Sequence, residues 1–165
     1  MTTDENYLAF TKKQFEQYKD LAEKAFAQLE EEKLFVQVNE ESNSIAMIVQ
    51  HMAGNMLSRW TDFMTTDGEK QWRRRDEEFE QVLKTKQEVF LQWEKGWQCL
   101  FDALEGIAPG QLQETIYIRK EAHTLLEAIN RQLAHYPYHI GQIIFIAKMY
   151  SDQDWKSLSI PRKRS

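Results

Sequence analysis

Positions Tyr7, Phe10, Gln14, Tyr18, Leu21, Ala25 and Leu29 fall at three- and four-residue steps. That period is the face of an α-helix, and it predicts one long amphipathic helix from Thr3 to about Glu31. The opening Thr3-Asp-Glu-Asn supplies a cap and early acids that suit the positive end of a helix dipole. Leu34 to Ser42 reads as a connection. Asn43-Ser44 then caps a second helix that runs to about Met64, where Thr65-Thr-Asp-Gly68 stops it. The next stretch, Glu69 to Phe79, is charged and irregular and is expected to form an ordered crossover. A third helix is predicted from Val82 to Leu104, with Val89, Phe90, Trp93, Trp97 and Phe101 on one stripe and Gly106 and Pro109-Gly110 closing it. Thr115 to Arg119 alternates weakly and is β-branched, which allows a short extended segment before a last helix from Thr124 to Tyr150. Four amphipathic helices with long links after the first and second predict an all-α four-helix bundle with long crossover connections, residues 1–165 forming a single domain.

Composition narrows the function. The 165 residues carry 21 basic and 26 acidic side chains, a net charge of −5, so the broad basic face of a nucleic-acid binder is not expected. Lys120, Arg162, Lys163 and Arg164 leave only small local patches. Arg73, Arg74 and Arg75, followed at once by Asp76, Glu77 and Glu78, read as a solvated and self-neutralising run. The single cysteine excludes an internal disulfide and agrees with a reducing compartment. Flanked by Trp97 and Leu100-Phe101, Cys99 reads as a small buried apolar side chain. No apolar run approaches the ~20 residues of a membrane span, and the first residues lack a signal sequence, so the expected location is cytoplasmic. Paired carboxylates, a Gly-rich phosphate loop and a nucleophile elbow are all missing from the sequence, which leaves phosphate-loop and serine-hydrolase chemistry unsupported.

Histidine placement is the strongest chemical signal. Two of the chain's four histidines, His135 and His139, stand four residues apart in an apolar helical segment, on one face of one helix. His51 lies in the second helix, which is otherwise apolar, and two helices could thus supply three neutral nitrogens to a metal with coordination positions left open. His51, Asn55, Ser58 and Asp62 also form a polar line along that helix. Two readings of the line stand. Periodicity alone favours its facing water; otherwise part of it faces an internal cleft opposite the last helix. Pro137 lies between the paired histidines, where it removes a backbone donor and crowds the Leu133 carbonyl at a cost of about 3 kcal/mol. Because Ile140 to Lys148 resumes a helical pattern, a kink or bulge is expected there and not a helix end. His123 reads as a surface or capping residue.

The segment Ser44 to Phe63 (SIAMIVQHMAGNMLSRWTDF), the following Thr66-Asp-Gly-Glu69, Ala128 to Ile143 (AINRQLAHYPYHIGQI) and the tail Trp155 to Arg162 together resemble the DinB-like superfamily, within it a bacterial subfamily of unknown function. The resemblance implies a four-helix bundle holding a divalent metal, often nickel or zinc, through one histidine of the second helix and a pair on the fourth. These roles map onto His51, His135 and His139. Pro137 departs from the usual form of the pair. Some relatives look like transferases that join a low-molecular-weight thiol such as bacillithiol to an electrophile; others resemble maleylpyruvate isomerases or have no known activity. A small-molecule substrate, a thiol among the candidates, and a homodimer are therefore implied. In the transferase reading Asn55, Arg59 and Arg131 position the acceptor. A metal-dependent hydrolase, with Asp62 or Glu127 as proton acceptor, and a non-enzymatic metal- or ligand-binding stress protein are the alternatives.

Overall fold

A computed structural model describes residues 1–151 and 155–161, and Arg162, Lys163 and Arg164 lie outside them. Helix α1 spans Thr3–Phe26 behind a capping box in which Thr2 and Glu5 satisfy each other's backbone N–H groups. It ends short of Glu31 because the Gln28 and Leu29 N–H groups bond to the carbonyls of Ala25 and Phe26, tightening the chain into turns. Helix α2 covers Ile45–Trp60, with the Ser44 hydroxyl accepting from the Met47 N–H. It stops before Met64: Thr61 is extended and Asp62 takes a left-handed φ of 48°. Helix α3, Lys86–Glu105, begins at a second capping box, Thr85 with Glu88. The predicted start at Val82 fails for a side-chain reason. Buried Gln50 donates to the Glu78 and Glu80 carbonyls, at 3.1 and 2.7 Å, and accepts from the Leu83 N–H at 2.8 Å, holding that backbone outside any helix.

The extended segment is real and has a partner. Strand β1, Thr115–Ile118, pairs antiparallel with β2, Glu121–Thr124, in the register Thr115 to Thr124 and Ile118 to Glu121. Arg119 and Lys120 form the two-residue turn with φ of 54° and 66°, the left-handed conformation of a type I′ hairpin that usually selects Asn-Gly. Three N–H groups, those of Glu69, Arg119 and Lys120, donate to the Asp67 carboxylate at 2.7 to 2.9 Å, which pins the strained turn to the loop after α2. Helix α4, Leu125–Tyr150, starts at a third capping box, Thr124 with Glu127, and runs through Pro137 without a break.

The described residues form an all-α bundle with one small hairpin. Helix α2 packs along α3, α1 along α4, and the α2–α4 and α1–α3 contacts close the bundle. Phe15, Phe26, Trp93, Trp97 and Tyr136 meet edge-on or tilted in the core, with ring centroids 5.2 to 6.2 Å apart. Gly96 lets α3 touch α2 backbone to backbone: a Cβ there would lie 2.8 Å from the Ala53 Cα. Cys99 is half-buried with its sulfur 3.6 Å from the Thr61 hydroxyl, and burial raises its pKa, as expected for an inert thiol. No described helix is long and apolar enough to cross a membrane.

Candidate metal centre

Helices α2 and α4 bring His51, His135 and His139 into one cluster whose potential ligand atoms all lie within 4.8 Å of one another. His135 Nε2 is 3.3 Å from His51 Nε2 and 3.1 Å from His139 Nε2. Two nitrogens bound to one tetrahedral cation at about 2.0–2.1 Å stand about 3.3 Å apart, so the spacing already suits a metal.

The outer nitrogens decide what the inner ones can be. His51 Nδ1 faces the Glu78 carboxylate at 3.0 Å, His139 Nδ1 the Gln142 amide oxygen at 2.9 Å, and His135 Nδ1 the Gln132 amide oxygen at 3.4 Å. Each partner atom is an acceptor, so each Nδ1 carries the proton and donates it. All three Nε2 atoms are then bare lone pairs converging on one point. Neutral rings so arranged repel, and a cation at that point resolves the conflict. Burial, with His51 nearby, lowers the pKa of His135 to about 3 and that of His139 to about 4, so both rings are neutral at pH 7. The residues present therefore fit a divalent ion.

Glu78 is the group that the charge pattern misassigns. The run Arg73 to Glu78 was expected to be solvated, and Arg74 and Glu77 do pair in solvent at 3.1 Å. Arg73 instead turns inward and grips Glu78 in a bidentate pair at 2.7 and 2.9 Å, their side chains only 2% and 9% exposed. Burial works to raise the Glu78 pKa, but the hydrogen bonds from His51 and Arg73 outweigh it and leave the carboxylate lowered and charged. Space for the carboxylate comes from Gly54: a Cβ at that position would stand 2.2 Å from Glu78 Oε1. A helix-interior glycine costs about 1 kcal/mol against alanine, and here it makes the cradle for the group that orients His51.

The polar line on α2 faces inward for three of its four members. His51, Asn55 and Ser58 are buried, while Asp62 lies exposed past the helix end. The Ser58 hydroxyl donates to the Gly68 carbonyl at 2.7 Å and accepts from the Lys70 N–H at 3.1 Å, binding the loop after α2 back onto the helix. Asn55 accepts at 3.0 Å from the Tyr136 hydroxyl, which in turn accepts from the Trp60 indole N–H at 3.4 Å. Burial raises the pKa of Tyr136 and keeps the phenol a donor, so the oxygen of Asn55 is occupied and its amide N–H groups are left for another partner. Neither carboxylate proposed as a base stands at the site. Glu127 is in the first turn of α4, accepting from the Thr124 N–H, eight residues or about 12 Å along the helix before His135. His123 lies on β2, apart from the cluster.

His51 and His135 open onto a cavity of about 430 Å³, whose wall also includes Asn55, Arg59 and Arg131. Arg59 is buried and donates to the Gly68 carbonyl and, at 2.9 Å, to Glu69. A family model described as "Protein of unknown function (DUF1572)" matches residues 2–164. Neither a search of curated proteins nor one of solved structures finds a match.

Proposed function

The chain belongs to the DUF1572 family of unknown function, and from that premise we propose that it is a metal-dependent enzyme of the DinB-like type that joins a small-molecule thiol to an electrophile. The observation that carries this reading is the cluster of His51, His135 and His139, two of which open onto a cavity whose wall includes no carboxylate. His51, His135 and His139 would hold nickel or zinc, since neutral imidazole suits both. Bound there, the ion would supply a Lewis acid that keeps a thiol deprotonated near neutral pH.

The protein's own groups do the rest. Glu78, Gln132 and Gln142 hold the three rings in one tautomer. Asn55 offers amide N–H groups beside His51 to orient the acceptor, with Arg59 and Arg131 as positioning cations. A thiolate is its own nucleophile and needs no general base, whereas activated water does; the positions of Asp62 and Glu127 therefore favour thiol transfer over hydrolysis.

The test begins with elemental mass spectrometry on untagged protein. About one equivalent of nickel or zinc is expected, lost in both His51→Ala and His135→Ala. Metal-loaded protein is then assayed for conjugation of bacillithiol and other small thiols to electrophiles. Full metal content with no conjugation by any pair would overturn the transferase reading and leave a metal-binding protein.

A further inference from the structure

The cavity onto which His51 and His135 open is lined by five arginines, Arg59, Arg73, Arg75, Arg119 and Arg131, and by no acidic residue. This concentration occurs in a chain of net charge −5. Two of the arginines have structural work: Arg73 holds Glu78, and Arg59 holds the loop at Gly68 and Glu69. Both are deeply buried, with side chains 2% and 4% exposed, and even so Arg73 Nη1 and Arg59 Nε have no hydrogen-bond partner among the described residues. Buried guanidinium donors left unpaired are costly, and these two, closed to solvent, add positive charge behind the cavity wall.

The remaining three are brought in from separate elements. Arg75 precedes the turn Asp76–Phe79 and lies over the Phe79 ring at 5.3 Å. Arg119 sits in the left-handed hairpin turn, held at its backbone N–H by Asp67 and at Nε by Glu69, 3.1 Å away. Arg131 projects from α4 one turn before His135 and has no ion-pair partner among the described residues. Among the described residues only Glu69 and Glu78 reach a guanidinium of the five within hydrogen-bond distance; Asp67 holds the Arg119 backbone N–H, and Asp76 stands 3.9 Å from Arg75 and is fully exposed. Set against Glu69, Glu78 and the nearby Asp67 and Asp76, the five cations leave an excess of one positive charge, and none of the four carboxylates lines the cavity. Like charges repel, so the free protein bears that arrangement at a cost that a negatively charged ligand removes.

We propose that this cavity binds a small molecule bearing two or more negative charges, as carboxylates or as phosphate. Arg75, Arg119 and Arg131 are its charged contacts and the Asn55 amide is a neutral one. The inference deepens the proposed function by naming the charge class of the substrate, and it rests on that reading only for the substrate role; anion binding itself stands on the arginines.

Succinate and inorganic phosphate are titrated separately by calorimetry into zinc-loaded protein, with succinamide as the uncharged control and metal content measured on each sample. Saturable binding of at least one anion is expected, and the better of the two identifies the source of the charge. Succinamide should not bind. The double variant Arg119→Gln/Arg131→Gln, altered only at exposed side chains, should weaken binding by about tenfold or more while keeping its zinc. Binding of neither anion by the wild type, equal binding of succinamide, or unchanged affinity in the double variant would overturn the proposal. Protein that takes up no zinc but still binds the anion through Arg119 and Arg131 would break the metal reading alone.

Discussion

The two halves of this bundle solve opposite problems. Between α1 and α3, Phe15, Phe26, Trp93 and Trp97 fill the core mainly by ring contact; the Trp93 indole N–H donates to Glu23 at 3.0 Å, and that of Trp97 has no partner among the described residues. Between α2 and α4, His51, Asn55, Ser58, Arg59 and His139 are buried with polar atoms that must each find a partner. Some of those partners come from irregular chain: Glu78 of the crossover, and Gly68 with Glu69 of the loop after α2. The aromatic half could be built from helices alone, whereas the polar half needs the long links, and this gives the crossover a structural reason to exist.

The comparison breaks most visibly in the aromatic half. Trp97→Ala should destabilise the fold by about 3–5 kcal/mol, read as a shifted urea midpoint, while the folded fraction still takes up metal. A substitution in the polar half should divide its effect differently. Glu78→Gln removes the charged acceptor for His51 and leaves Arg73 facing a neutral amide, so metal affinity should fall about 10–100-fold in competition with a chelator. Removing the metal exposes a pH effect confined to that half. Because the pKa values of His135 and His139 are lowered to about 3 and about 4, the unfolded chain binds more protons than the folded one below about pH 6.5. Stability of the metal-free protein should therefore decline as pH falls from about 6.5 towards 4, and His135→Gln/His139→Gln should flatten that slope. The smallest change compares two helical glycines. Nothing lies within 4 Å of a Cβ added at Gly141, so Gly141→Ala should stabilise by about 0.5–1 kcal/mol. The same replacement at Gly54 should lose metal affinity despite its better helix propensity, because it displaces Glu78.

What could be read in advance follows the same division. Helical period placed all four helices and the three histidines, because residues at fixed steps on a helix share a face whatever surrounds it. Helix ends were less legible: the start of α3 depends on Gln50, 33 residues before Leu83, gripping the backbone there. Irregular segments have no period, so Arg73 and Glu78 looked the same as Arg74 and Glu77, and only three-dimensional placement separates the buried pair from the exposed one. The hairpin was half visible, since β1 is β-branched while its Arg-Lys turn lacks the glycine that usually announces one. Gly54 was a possible signal for the hidden carboxylate: a glycine inside a helix one turn from a candidate ligand invites the question of what fills its space.

The close approach of Gly96 to Ala53 also bears on motion. With backbone against backbone and no room for a methyl group, α2 cannot slide along α3 without collision. His51 and Asn55 lie two residues to either side of that stop, on a fixed rail. Exposed parts of the cavity wall lie elsewhere, on Arg75 before the Asp76–Phe79 turn and on the β1–β2 hairpin. The first histidine is thus presented by a helix locked in register against its neighbour, while two of the cavity's exposed arginines, Arg75 and Arg119, sit on irregular chain.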